Sequence, residues 1–284
     1  ARLKAGVQYI AYNLIGSTLF LFGLATLYSV TGTLNIADLA VKLTTLPDGD
    51  AALIRVTAVM LMMVFAIKGA LVPLHFWLPA TYAQAPGPVS ALFAVMTKIG
   101  AYAAIRFSTL VFPASVPAIG TMLQDLMFWA AIATLLVGAA GVLGAVTLNR
   151  LAAFAAVTSM GTLFLAASGG TAPDTAAALY YALHSTLAAG AMFLIADLVT
   201  TGRGTGDLRR AVAPIAQQGL IAALFMAAAV AAAGLPPLPG FFGKLMILQA
   251  SEGVLSWAAI LGSSLVVIVG MARAGSLLFW SSHA

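Results

Sequence analysis

Cysteine is absent from the 284 residues, so disulfides, thiolate metal sites and thiol chemistry are excluded, and the redox compartment cannot be read. Charge is scarce as well: 7% of residues are Asp, Glu, Lys or Arg, against roughly 25% in soluble domains. With 62% hydrophobic residues and a mean hydropathy of +1.05, a water-soluble fold is excluded. The alternating segments of about ten residues that build membrane barrels are missing. The three histidines include no i, i+4 pair with another ligand, so no metal site is expected, and no cofactor either. GRGTG at 202–206 has the look of a phosphate loop, but no strand precedes it and it lies in a basic interhelical loop.

What the chain does have is apolar runs of about 20 residues, the length that crosses a hydrocarbon core of about 30 Å. They define an all-α, polytopic transmembrane helix bundle of about eight spans. These fall at roughly 6–30, 53–72 continuing brokenly to 83, 88–110, 122–146, 151–168, 175–200, 216–249 with a break, and 254–280. The loops carry LPDGD, FPASVP, SGGTAPD and TGRGTGDLRRAVAP, and none resembles a separate domain. The first run, Ala5 to Val30, is too long for a signal-peptide core and lacks a clear cleavage site, so it is read as a true span. With no methionine at its start, the sequence is read as an internal piece of a longer polypeptide. Small residues in GAAGVLGA at 138–145 are expected to permit close helix packing.

The net charge of +5 reflects topology rather than nucleic-acid binding. One side of the membrane collects Arg2, Lys4, Arg150, Arg203, Arg209, Arg210 and Arg273; the other holds Lys42, Arg55 and Arg106. The positive-inside rule therefore places both ends of this stretch on the cytoplasmic side of the cell's inner (plasma) membrane. Of the 13 basic residues, Lys68, Lys98 and Lys244 remain, and all three fall inside spans.

A lysine at the bilayer centre costs about 2.5 to 3.5 kcal/mol on insertion scales, so something must offset it. Two spans are broken by proline, at Pro73 and Pro79 and again at Pro236, Pro237 and Pro239. Each proline lacks an amide proton and crowds the carbonyl four residues back, freeing backbone groups that water, a cation or protein donors must satisfy. Lys68 lies before Pro73 and Lys244 after Pro239, which argues for hydrated sites. The two broken spans are five apart and so cross in opposite directions, as an inverted-topology repeat requires.

Lys68 is read as a buried proton carrier whose charged form desolvation disfavours; the alternative is a side chain that snorkels to an interface. Lys98 either passes a proton to or from Lys68 or bonds carbonyls freed near Pro73. Lys244 is the second-half counterpart of Lys68, or a cap on the broken helix end. His184, mid-span beside Tyr180 and Tyr181, is a relay between Lys98 and Lys244 or a hydrogen-bonded core histidine. His75, an accessory candidate, lies in the break and satisfies backbone groups or takes part in the path. Asp197, also accessory, and Asp125 lie near span ends, in an exit path or in interfacial solvent.

The run KGALVPLHFWLPATYAQAPGPVSALFAVMTKIGAYAAIR resembles the core of the proton-translocating antiporter-type subunits shared by respiratory complex I and the Mrp multisubunit cation/proton antiporters. YYALHSTLAAGAMFLIADL, GLPPLPGFFGKLMIL and WAAILGSSLVVIVGMARAGSLLFW are most similar to the D-type subunits of the Mrp branch. The resemblance implies a truncated inverted-repeat antiporter-like fold holding about eight of about fourteen helices. Residues 1–284 would be one domain, with about 1–115 in a first half-channel and about 116–284 in a second. It also implies a proton path through Lys68, Lys98, His184 and Lys244, an acidic partner of Lys68 upstream of Ala1, and no lysine relay at Ala189, where many relatives carry one. The implied function is exchange of H⁺ for Na⁺ or K⁺ inside a hetero-oligomeric membrane complex, as a transporter subunit rather than an enzyme; lipid, the other subunits and these ions are the expected partners. A proton-pumping subunit of complex I is the nearest alternative, and a non-transporting scaffold the alternative of another class.

Overall fold

Alanine and leucine dominate the apolar runs, and both favour helix; at bilayer depth a helix also satisfies every backbone group within one segment. The computed structural model describes residues 2–46, 48–210, 212, 215–251 and 253–280, with Asp48 described by its backbone alone. Pro47 of the first loop cue, and Ala211, Ala213 and Pro214 of the fourth, lie outside the described residues. Among those described there are helices and no β-strand.

The long helices are α1 (Arg2–Thr31), α3 (Ala51–Gly69), α5 (Gly87–Arg106), α6 (Met122–Gly144), α7 (Leu148–Ala167), α8 (Ala172–Arg203) and α11 (Val254–Gly275), with α5 and α11 each prolonged by a π-helical turn. These seven stretches are long and apolar enough to cross a membrane. Shorter helices are α2 (Ile36–Lys42), α4 (Trp77–Gln84), α9 (Gln218–Ala233) and α10 (Pro239–Ala250). The expected eighth span is the pair α9 and α10: 16 residues fall short of the ~20 a crossing needs, and α10 continues beyond the break. α2 was not expected; Asn35 caps it by accepting from the Ala37 amide at 2.9 Å, and Lys42 pairs with Asp38 at 3.1 Å, the one ion pair among the described residues.

α7 lies at the centre, packed against α6, α8 and α4. The close packing expected of residues 138–145 is seen where Gly138 faces Thr158 and Gly141 faces the Phe154 ring, positions at which a Cβ would collide. The connection between α6 and α7 is tied to the loop after α8 by Leu148 N–H to the Gly206 carbonyl and Leu208 N–H to the Val146 carbonyl, both 2.9 Å. Arg273 donates to the Ala145 carbonyl at 3.0 Å and Arg203 to those of Leu278 and Arg210, which places these two arginines at the same end of the bundle. On the opposite face, Arg55 donates to the Ala118 carbonyl at 2.7 Å.

Candidate functional site

Both broken spans end their first halves in the same way. Ala70, in the left-handed region at φ 53°, donates to the Ile67 carbonyl, and Leu71 donates to that of Ala66 at 2.9 Å. Gly234, at φ 74°, donates to the Ala231 carbonyl, and Leu235 to that of Val230 at 3.1 Å. This is the Schellman arrangement, and in each case a proline two or three residues past the left-handed one prevents the helix from resuming at once. Pro73, Pro236 and Pro237 lie in the breaks. Pro79 and Pro239, read from sequence as part of the interruption, instead stand in the first turns of α4 and α10, where a missing amide proton leaves nothing unsatisfied.

The two lysines do not occupy equivalent positions around these breaks: Lys68 lies within the last turn of a half-helix, whereas the Lys244 ammonium meets the carboxyl end of another, the negative end of its dipole. Lys68 belongs to the last turn of α3 itself. Its ammonium donates to Oδ1 of Asn13 on α1, whose own amide nitrogen is held by the Tyr9 carbonyl at 2.8 Å and so turns its oxygen to the lysine. Lys244 reaches back from α10 and donates to the Ala233 carbonyl, the last of α9, at 2.7 Å, and to Ser264 Oγ on α11 at 2.7 Å. The capping contact weighed for Lys244 is thus present.

Lys98 is buried on α5 and donates to Ser159 Oγ on α7 at 3.2 Å, not to the carbonyls near Pro73. The carbonyl of Ile67 there is taken by the Trp77 indole at 2.9 Å. Gly100, two residues beyond Lys98, allows α3 and α5 to touch: a Cβ would stand 2.7 Å from Lys68 Cβ. Ser159 and Ser264 share a local geometry. Each donates its proton to its own helix, to Ala156 at 2.9 Å and Ile260 at 2.6 Å, leaving its lone pairs for an amine.

His184 Nε2 lies 3.0 Å from the Ala231 carbonyl, which fixes that nitrogen as the protonated one. His184 and Lys244 therefore contact the same last turn of α9. A Cβ at Gly240 would strike both the imidazole and that carbonyl. A cavity of about 20 Å³, room for a single water, is lined by Ser159, His184 and Ser185 and lies between the Lys98 and Lys244 contacts. Sequence reasoning missed Asn13, Ser159 and Ser264.

The accessory candidates separate from this row. His75 is buried in the first break, but its Nδ1 finds no partner among the described residues, so it does not satisfy the freed backbone there through that atom. Asp197 accepts from the Gly87 amide at 3.2 Å and so caps the start of α5. Asp125 sits in the first turn of α6, bonded by Thr121 at 3.0 Å. No cluster that could hold a metal ion occurs among the described residues.

Comparison with known proteins bears on this geometry. The family described as NADH:quinone oxidoreductase/Mrp antiporter, TM, matches residues 1–270. The chain belongs to that family. Among curated members it is 35% identical over 286 residues to the D-type subunit of the Na(+)/H(+) antiporter of Bacillus subtilis, covering 99% of this chain and 57% of the relative. It is 36% identical over 314 residues to the D-type subunit of a probable K(+)/H(+) antiporter of Rhizobium meliloti, covering 99% of this chain and 58% of the relative. A chain in the structure of the Mrp complex from Dietzia sp. DQ12-45-1b superposes with a TM-score of 0.87 at 28% identity, over 98% of this chain and 51% of that one. The chain thus spans little more than half the length of the relatives it matches. It is a multi-pass membrane protein of this family, with the helices and breaks described above.

Proposed function

We propose that this chain carries proton-translocating groups of a D-type subunit in a Mrp-like antiporter, which exchanges H⁺ for Na⁺ or K⁺ within a hetero-oligomeric complex. One observation carries the reading: Lys68, Lys98 and Lys244 each bond neutral oxygens alone, with no carboxylate in ion-pair range among the described residues. An ammonium in the field of a carboxylate holds its proton more tightly. One held by a hydroxyl, an amide or a helix end can release its proton while its partner remains neutral. The path runs from Lys68 to Lys98, through Ser159 and the water-sized cavity to His184, and through the end of α9 to Lys244. Charge on one member disfavours charge on the next, so protons advance singly. Both ends of the stretch face the cytoplasm in this reading, and residues before and after 116 line successive half-channels.

The test is cation-dependent proton transport in vesicles containing the intact complex. Lys68→Ala or Lys244→Ala is expected to lower the rate about a hundredfold or more, as for loss of a group acting directly in proton transfer. Undiminished transport in both removes the reading. Variants that still transport but assemble poorly are the result a scaffold would give, and transport driven by quinone reduction is the result a complex I subunit would give.

A further inference from the structure

A cavity of about 480 Å³ lies at the end of the bundle that holds Lys4 and Arg150, between the start of α1, the α4 half of the first broken span and the start of α7. Its polar wall consists of Lys4 and Gln8 from α1, His75 and Gln84 from the α4 segment, and Arg150 from α7. Phe154 stands in the same wall with the Arg150 guanidinium 5.9 Å above its ring, which fixes the cation at the rim. No carboxylate lines the cavity, and neither Lys4 nor Arg150 is paired with one among the described residues.

His75 supplies an independent observation. Only 7% of it is exposed, and its Nδ1 is buried without a hydrogen-bond partner among the described residues. That atom is sealed from the cavity, so the imidazole meets a ligand there through Nε2, and neither the lysines of the proposed path nor His184 bonds it. Two cations from separate helices, two glutamine amides and this imidazole together present donors, with no fixed negative charge to balance them. That is the chemistry that recognises an oxyanion, for which the planar guanidinium is suited to phosphate oxygens. The location narrows the ligand further. The cavity opens at the end of the bundle, with Phe76 and Pro79 supplying apolar wall, and basic pockets between transmembrane helices hold anionic headgroups.

We propose that this cavity binds the phosphate of an anionic phospholipid headgroup, bridging Lys4 of α1 and Arg150 of α7 beside His75. The site stands apart from the proton path and does not depend on the transport reading. Binding would clamp α1 to α7 across the second half of the broken span.

The experiment uses the purified intact complex in nanodiscs of mixed phosphatidylglycerol and phosphatidylcholine, with retained lipid counted by native mass spectrometry. The unaltered protein is expected to keep phosphatidylglycerol in preference to phosphatidylcholine. Lys4→Gln with Arg150→Gln lowers that preference about thirtyfold, each basic group near an anionic headgroup contributing about fivefold. Arg55→Gln, on the opposite face, leaves it unchanged. His75→Gln weakens retention while the melting temperature in pure phosphatidylcholine stays constant, separating ligand loss from misfolding. Inorganic phosphate alone, at millimolar concentration, is expected not to displace the lipid; if it protects against melting equally well through Lys4 and Arg150, the lipid assignment is overturned in favour of free phosphate. No lipid preference in the unaltered protein, or the same preference in the double variant, overturns the site altogether.

Discussion

Ser264 gives its proton to Ile260 and its lone pairs to Lys244, and Ser159 divides itself in the same way between Ala156 and Lys98. A hydrogen bond to a charged group contributes about 1.5 to 3 kcal/mol, so Ser264→Ala is expected to lower transport roughly tenfold or more, with Ser264→Thr restoring most of it; vesicle assays of both variants decide this. The lysines stood out in the sequence because an ammonium in an apolar run is costly and requires a partner, whichever of its alternative roles it plays. Their partners were not. A serine in an alanine-rich helix bonds back to its own turn in most settings, and nothing in the sequence marks which serine also faces an amine. Asp197 shows the opposite difficulty: its carboxylate near a span end looked like an exit or a solvated edge, whereas its contact is the amide at the start of α5. Asp197→Ala should cost about 1 kcal/mol of stability, read as a lower melting temperature, with little change in cation specificity. Asp38, outside the spans, is held below its ordinary value of 3.8 by its hydrogen bond to Lys42 and another to Thr33. The stabilisation from this depressed carboxyl is present above its unfolded value and disappears as pH falls through the folded one. Asp38→Asn should therefore lower the melting temperature slightly at neutral pH, by an amount that vanishes in acid as the wild-type carboxyl is protonated, the effect being small because the pair is half-exposed.

The two helix breaks were visible as prolines, but their shape was not. Proline reports where a helix cannot continue; it does not report that the preceding turn closes in a left-handed residue, or that Pro79 and Pro239 begin new helices. The left-handed residue is glycine in one break and alanine in the other, so composition gave no matching signal. Gly234 is the more constrained of the two. Its φ of 74° disfavours any side chain, and a Cβ would come within 2.8 Å of Lys244 Cδ. Gly234→Ala is expected to cost about 1 to 3 kcal/mol in melting experiments and to displace Lys244 from the end of α9, lowering transport more than the stability loss alone accounts for. The short helix α2 was missed for a simpler reason: seven residues after a glycine carry too little periodicity to stand out, and a cap and one i, i+4 pair make up the difference.

At the scale of the molecule, the helical membrane class and the order of crossings followed from hydropathy, since the bilayer leaves few alternatives to helix. The count of basic residues gave two faces, and backbone contacts of Arg203, Arg273 and Arg55 agree with that division. What hydropathy could not give was the close approach of α5 to Lys68 at Gly100 and of α10 to His184 at Gly240. The account stands on the amines of Lys68, Lys98 and Lys244 changing charge while their neutral partners stay in place. The most direct measurement is ¹⁵N magnetic resonance of the lysine side chains in the reconstituted complex, followed across the pH range in which transport runs. The account predicts that Lys68, Lys98 and Lys244 each pass between ammonium and neutral amine within that range, and that Ser264→Ala alters the behaviour of Lys244 while leaving Lys68 as it was. Three ammonium signals that persist unchanged while protons are transported would contradict it.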